Sequence, residues 1–136
     1  MVRVIMGLKG DGKTKTLIGL VTKAALEEEG DTVCIEKEEE LTYDIPHNVR
    51  LIGLSQYKET GYAFLRGFIC GLQAGNYDIT HIFMDGLFKL SGNDSDHDAE
   101  NFLAWCDAFG EREHIRFTIT ISSDADLATP GIQKYL

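Results

Sequence analysis

The sequence predicts an α/β fold of three layers, in which a mainly parallel, five-stranded sheet lies between helices on both faces. The first observation is that short runs of β-branched residues alternate with longer stretches whose apolar residues recur at helical spacing. The second is the size of the chain, because 136 residues with 43% hydrophobic content suit one domain with a substantial core. We therefore predict a single domain spanning residues 1–136.

The strands and helices are predicted in an alternating order. Strands are expected at residues 2–6, 32–36, 49–53, 79–84 and 115–121. Helices are expected at residues 13–29, 59–74 and 96–109, each ending at a glycine, which are Gly30, Gly75 and Gly110. A long polar loop is predicted at 86–95, and a short helix broken at Pro130 in the tail. Gly67 and Gly71 predict that another element packs closely on the second helix.

Residues 7–14, GLKGDGKT, match the phosphate-binding pattern G-x-x-x-x-G-K-[ST] at every defined position. Glycines at 7, 10 and 12 are expected to take positive φ, so that successive N–H groups point at one anion. Lys13 adds a cation for the β- and γ-phosphates, and the Thr14 hydroxyl can ligate Mg²⁺. The predicted nucleotide-binding residues are Gly7, Lys9, Gly10, Asp11, Gly12, Lys13, Thr14 and Lys15.

The charges on the helix that follows this loop oppose its dipole. Lys13 and Lys15 lie at the positive end and residues 27–29, all glutamates, at the negative end. A helix built for stability alone would reverse these charges, whereas one that holds an anion at its N-terminus would keep the lysines. The charge pattern therefore favours a triphosphate site independently of the motif.

Asp85 directly follows the apolar strand predicted at 79–84. Strand ends of a parallel sheet meet at one edge, where such sheets bind ligands, so Asp85 is expected near the glycine-rich loop. A carboxylate opposite Thr14 can hold Mg²⁺, and we predict Thr14 and Asp85 as metal ligands and Lys13 and Asp85 as catalytic residues. The alternative is that Asp85 and Gly86 simply form a turn.

With these two elements the chain resembles the P-loop NTPase superfamily over nearly its whole length. It is also similar to small bacterial single-domain ATP-binding proteins sometimes labelled twitching-motility ATPases, in residues 7–10 (GLKG) and 67–71 (GFICG). The resemblance implies a P-loop NTPase-like fold with ATP and Mg²⁺ as ligands. Many members carry glutamate after the strand-end aspartate, as the base that activates water, and this chain has Gly86 there. The resemblance therefore implies slow or partner-stimulated ATP hydrolysis.

Two alternatives to an ATPase remain open from the sequence. One is a small-molecule or nucleoside kinase that uses ATP as phosphoryl donor, with residues 86–95 and Lys89 as a lid. The other is a non-catalytic module whose bound nucleotide controls a partner. A protein partner or a second subunit is expected to supply charge in trans, and a distant carboxylate, Asp94, Asp96 or Asp124, could replace the missing base. Ser122 or Ser123 could sense the γ-phosphate or form an ordinary strand end.

The composition argues against other partners. The net charge of −9 disfavours nucleic acid, and the acidic run at 36–40 is predicted to be a solvated face. No apolar run is long enough for a membrane span, and no targeting segment is recognised. Cys34, Cys70 and Cys106 are predicted as buried free thiols, which favours the cytoplasm. The four histidines are predicted at the surface or at strand ends.

Overall fold

The computed structural model of the protein describes residues 1–38, 40–41 and 44–136. Glu39 of the predicted acidic face lies outside these residues. The strands are β1 (Val2–Gly7), β2 (Asp31–Glu36), β3 (Arg50–Gly53), β4 (Ile79–Met84) and β5 (Arg116–Ser122). The helices are α1 (Lys13–Glu27), α2 (Tyr62–Gly75), α3 (Leu87–Ser91), α4 (Asp96–Glu113) and α5 (Pro130–Gln133). Within the described part of the chain, none of the helices is long and apolar enough to cross a membrane.

All five strands are parallel and lie in the order β1-β5-β4-β2-β3. The sequence alone leaves this order open, and the structure places β5 between β1 and β4. Six residues of β1 pair with β5, from Val2 opposite Phe117 to Gly7 opposite Ser122. The carboxyl ends of β1, β5, β4 and β2 therefore form one edge of the sheet.

The sheet separates two apolar cores, which confirms the predicted three-layer α/β fold. On one face, α1 buries Leu17 and Val21 in the same cluster as Cys34 of β2 and Phe83 of β4. On the other face, α2, α3 and α4 cover a larger core, which includes Phe102, Ile119 and other fully buried side chains. Alternate residues of each central strand thus face α1 or the opposite helices.

Two glycines predicted as helix caps are needed instead for close approach. A Cβ at Gly30 would overlap the Thr80 side chain, and α1 already ends at Glu27, after which Glu28 is in extended backbone. Gly110 lies inside α4, where a Cβ would overlap the backbone oxygen of Ile115. Helix α4 continues to Glu113 and ends at His114, whose φ of 58° is left-handed.

Two segments differ from the helices that the sequence predicts. The predicted loop at 86–95 includes α3, because Leu87 and Leu90 share one face and are both buried in the core. Pro130 begins α5 rather than breaking a helix, since the first turn of a helix needs no N–H from that residue.

The predicted close packing on α2 is wrong. Among the described residues, no atom of another element lies within 4 Å of the Cβ positions of Gly67 or Gly71, and both glycines face an open groove of about 610 Å³ beside β3. The prediction of buried thiols is confirmed for Cys34 and Cys106 and is wrong for Cys70, which is exposed on α2. The buried residues of α2 are Tyr62, Leu65 and Ile69, so the helix buries a narrower face than its apolar residues suggest.

His81 lies in the middle of β4, not at a strand end or on the surface. Its Nδ1 atom is 3.1 Å from Oε1 of Glu28, and its Nε2 atom is 2.8 Å from the hydroxyl of Thr118. The ring also stacks on Phe83. These contacts tie the end of α1 to the sheet, and burial lowers the pKa of His81 despite the neighbouring Glu28 carboxylate.

Candidate functional site

A cavity of about 640 Å³ lies at the edge formed by the carboxyl ends of the strands. Its walls come from the glycine-rich loop, the start of α1, the ends of β2, β4 and β5, and α3. Of the predicted nucleotide-binding residues, the cavity is lined by Lys9, Gly10, Gly12, Lys13, Thr14 and Lys15. Gly7 and Asp11 lie outside its walls.

The loop between β1 and α1 curls through two left-handed glycines. Gly10 has a φ of 93° and Gly12 a φ of 81°, as their positions in the motif predict. Gly7 does not take positive φ; it ends β1, and a Cβ there would come within 3.1 Å of the Asp11 carboxylate. That carboxylate accepts a hydrogen bond of 2.8 Å from the N–H of Leu8, so Asp11 supports the loop from within.

Lys13 is the first residue of α1 and is largely enclosed, with 9% of its surface exposed. Its Nζ atom donates a hydrogen bond of 2.8 Å to the backbone oxygen of Leu8, which curves the loop over the start of the helix. In the part of the chain that the structure describes, no side chain caps this helix end, and the first turn of α1 has no acidic residue. The first amide groups of α1 are therefore available to an anion.

Asp85 and Thr14 are brought together across the sheet edge, as the sequence predicts. Oδ2 of Asp85 is 3.4 Å from the hydroxyl of Thr14, although these residues are 71 positions apart. The backbone N–H of Asp85 donates to the oxygen of Ile35, so the sheet ladder extends as far as this residue. Gly86 follows with a φ of 81°, and the chain turns there into α3. Asp85 thus faces the loop and also precedes a turn.

The left-handed φ of Gly86 explains why no glutamate follows Asp85. We expect Gly86→Ala to lower the free energy of unfolding by about 1–2 kcal/mol, because a Cβ disfavours this region. Gly19→Ala is the matched control: Gly19 lies inside α1 with open space around it, so alanine should stabilise by roughly 0.5–1 kcal/mol. Urea unfolding of both variants measures the two changes, and equal effects would contradict the backbone explanation.

Glu36 is a functional candidate that the sequence prediction did not include. It ends β2 beside β4, is 4% exposed and lines the cavity, so the prediction of a solvated acidic face is wrong for this residue. Its Oε1 atom accepts from the N–H of Glu40 at 2.7 Å, and its Oε2 atom from the N–H of Leu41 at 3.3 Å. Burial, and then the charge of Asp85, raise the pKa of Glu36 against the effect of these hydrogen bonds.

A signal for Glu36 is present in the sequence. Thr32, Cys34 and Glu36 alternate along β2 with residues of the opposite face, and the strand ends in a carboxylate just as β4 is followed by one. Glu36 is both the last residue of the predicted strand at 32–36 and the first of the acidic run at 36–40, and its position at the strand end is what places it beside the cavity. Burial, and then the nearby carboxylates of Glu36 and Asp85, raise the pKa of the Cys34 thiol to about 12, so this thiol stays protonated.

The charges around the cavity divide into two groups. The cations are Lys9, Lys13, Lys15, Lys37 and Lys89, and the carboxylates are Glu36, Glu38, Glu40 and Asp85. Ser122 also lines the cavity. The carboxylates considered from the sequence as distant bases, Asp94, Asp96 and Asp124, do not line it. Asp96 instead lies in the first turn of α4, whose N-cap is Ser95.

The donor set at this edge suits Mg²⁺ that arrives with a nucleotide. Among the described residues there is no group of three or more His, Cys, Asp or Glu side chains arranged to hold a metal. Mg²⁺ usually keeps several waters and takes one or two protein ligands together with substrate phosphates. The hydroxyl of Thr14 and the carboxylate of Asp85 would be these two protein ligands.

Comparisons with known proteins do not place the chain in a family. The chain matches no protein-family model, and no curated protein is significantly similar to it. The resemblance to P-loop NTPases therefore rests on residues 7–14 and Asp85, and it stays a prediction.

Proposed function

We propose that this protein binds Mg-ATP and hydrolyses it slowly unless a partner completes the site. One observation carries the proposal: the glycine-rich loop, Lys13 and the Thr14–Asp85 pair line a single cavity. The left-handed glycines and the uncapped start of α1 supply backbone donors for a polyphosphate. Lys13 supplies a cation at the same place. The free thiols suit a reducing compartment, so a cytoplasmic location belongs to the proposal.

Thr14 and Asp85 are the residues that would hold Mg²⁺. When bound, the ion would neutralise charge on the phosphates. The two residues come from α1 and from the end of β4, so the site would depend on the packing of α1 on the sheet. The distance of 3.4 Å between the Thr14 hydroxyl and Oδ2 of Asp85 makes their hydrogen bond weak. Both groups can therefore exchange it readily for contacts with a bound ligand.

Glu36 is our candidate for the base that Gly86 does not provide. In hydrolysis, the oxygen of a water molecule bonds to the γ-phosphorus, and the bond from that phosphorus to the β–γ bridging oxygen breaks. The bridging oxygen leaves on ADP with the electron pair, and the water proton passes to the base. A carboxylate with a raised pKa accepts such a proton more readily than an exposed one.

The cavity does not provide every charge that fast phosphoryl transfer uses. Among the described residues that line it, the cations are all lysines, and no arginine is present. Arginine fingers supplied in trans accelerate hydrolysis in related chemistry by about 10³–10⁵-fold. A protein partner or a second copy of the chain is therefore part of the proposal. Nucleic acid is not, given the net charge of −9.

The kinase and sensor alternatives differ in what the structure offers them. The proposed lid of a kinase is partly occupied by α3, whose Leu87 and Leu90 are anchored in the core. The sensor alternative is favoured by the hydrogen bonds between Glu36 and the N–H groups of Glu40 and Leu41, because they couple the cavity to the segment after β2. Phosphate release with and without added acceptors distinguishes these alternatives from an ATPase.

The proposed function is tested by thermal melting with ATP, ADP, GTP and dTTP, each with and without Mg²⁺. We expect ATP with Mg²⁺ to raise the melting temperature most, because the cavity offers donors to a triphosphate and two ligands to the metal. Phosphate at equal ionic strength is the control for non-specific anion effects. If no nucleotide shifts the melting temperature beyond that control, the proposed function is wrong.

Replacing Asp85 with asparagine is expected to weaken the Mg²⁺ dependence of ATP binding more than the binding of ATP itself. The carboxylate is the charged metal ligand, whereas the loop and Lys13 bind the phosphates. Titrating Mg²⁺ at fixed ATP and measuring the melting temperature tests this. Asp78→Asn is the matched control, because Asp78 precedes β4 at the opposite edge of the sheet. Identical Mg²⁺ titrations for wild type and Asp85→Asn would leave Asp85 as a turn residue.

A further inference from the structure

Thr120 lies on β5, between the strand that leads into the glycine-rich loop and the strand that leads to Asp85. Its hydroxyl makes two short hydrogen bonds. Its hydroxyl oxygen is 2.7 Å from Oδ1 of Asp85 and 2.7 Å from the backbone nitrogen of Gly86. Only 1% of its surface is exposed, so the hydroxyl is shielded from competing water. Nothing in the sequence singles out Thr120, because threonine is common inside β-strands.

The chemistry of the two partners fixes the direction of both hydrogen bonds. The backbone N–H of Gly86 can only donate, so the Thr120 oxygen accepts from it. The single hydroxyl proton is then free for Asp85, whose carboxylate accepts it at Oδ1. Oδ1 is thus engaged inside the protein, while Oδ2 is the oxygen that faces Thr14.

We propose that Thr120 is a positioning residue for a metal ligand: it holds the Asp85 carboxylate so that Oδ2 faces Thr14, and these two residues would together hold Mg²⁺. The inference rests on the proposed function, since it deepens the role of Asp85. Because Thr120 also binds Gly86, it fixes the carboxylate and the left-handed turn behind it as one unit. Hydrogen bonds of this kind orient metal ligands, and their loss typically weakens metal affinity by about 10–100-fold.

Thr118 provides a matched comparison on the same strand. It lies two residues before Thr120, so both side chains face the α1 side of the sheet, and it is also buried. Its hydroxyl is hydrogen-bonded to His81 on β4, which lies four residues before Asp85 and so nearer the opposite edge of the sheet. Removing the hydroxyl of either threonine breaks a hydrogen bond from β5 to a side chain on β4 or directly after it. Of the two threonines, only Thr120 contacts Asp85.

The test measures two quantities for wild type, Thr120→Val, Thr120→Ser and Thr118→Val. The first is the Mg²⁺ concentration that gives half of the ATP-dependent rise in melting temperature. The second is ATP affinity in EDTA. We expect Thr120→Val to raise the half-saturating Mg²⁺ concentration by about 10–100-fold and to leave ATP affinity in EDTA within about threefold of wild type. Thr120→Ser, which keeps the hydroxyl, and Thr118→Val should both retain the wild-type Mg²⁺ requirement.

The outcomes separate the inference from the proposed function. If wild type shows no ATP-dependent shift, the proposed function fails. If wild type responds to Mg²⁺ and Thr120→Val responds at the same concentration, the positioning role is wrong. A Thr118→Val effect as large as that of Thr120→Val would also overturn it, because the cause would then be general loosening of the sheet. If the valine variant does not fold, Thr120→Ala removes the same hydroxyl and carries the same comparison.

Discussion

Replacing Lys13 with alanine is expected to remove most of the stabilisation that Mg-ATP gives the wild-type protein. At an ATP concentration near a thousand times Kd, binding should stabilise the wild-type fold by about 4 kcal/mol. The largely enclosed ammonium group of Lys13, which donates to the Leu8 oxygen, lies where the phosphates are expected. Melting curves across an ATP titration give the Kd of the wild type and of the variant.

Lys23→Ala is the control for the loss of a positive charge from α1. Lys23 is exposed on the same helix and does not line the cavity, so its variant should bind Mg-ATP like wild type. If Lys13→Ala retains the wild-type Kd, the nucleotide site is elsewhere. If both variants lose affinity equally, the effect comes from the overall field of the helix rather than from the loop.

Replacing Glu36 with glutamine is expected to lower the rate of ATP hydrolysis by about 10²–10⁴-fold, the usual contribution of a general base. Glutamine keeps an acceptor for the N–H of Glu40 but turns an amide group toward the N–H of Leu41, so ATP affinity is measured beside the rate to show that nucleotide binding is retained. Since burial raises the pKa of Glu36, the wild-type rate should fall as the pH decreases through that raised pKa, where the carboxylate becomes protonated. The rate of the glutamine variant should not show this fall at low pH. Phosphate release across pH, on protein shown to be monomeric, measures both effects.

Glu38→Gln is the matched control, because Glu38 lines the same cavity but is exposed. It should hydrolyse ATP at the wild-type rate. Turnover of Glu36→Gln equal to wild type would show that Glu36 only anchors the chain after β2. Even the wild-type monomer should turn over far below the median enzyme rate of about 10 s⁻¹, since the described part of the cavity contains no arginine.

The sequence predicts those parts of the site that depend on local backbone chemistry. The left-handed glycines of the loop follow from a motif in which each residue type has a direct steric reason, as at Gly10 and Gly12. Asp85 follows from an apolar strand that ends at a carboxylate. The α/β class follows from periodicity, because strand and helix patterns differ clearly along this chain.

What the sequence does not predict depends on tertiary neighbours. Thr120 is an unremarkable strand residue until β5 is placed between β1 and β4, and strand order is not encoded in local patterns. Glu36 is hidden in an acidic run because burial by the following segment decides its environment. Gly30 and Gly110 resemble helix caps, whereas contacts with Thr80 and Ile115 explain the absence of a side chain.

The position of β5 also determines when the cavity can exist during synthesis. β1, near the start of the chain, has β5 as its partner in the sheet, and the N–H of Val4 is bonded to the oxygen of Tyr135. The ribosome must therefore release residues 116–122 before β1 finds its neighbour, and β4 meets β5 at the same time. Until then α1 can already pack on β2 and β4, but β1, which leads into the glycine-rich loop, is not yet held in the sheet. Without residues 116–122, β1 lacks its partner in the sheet and Asp85 lacks its hydrogen bond from Thr120, so we expect the complete site to form only after β5 has been synthesised.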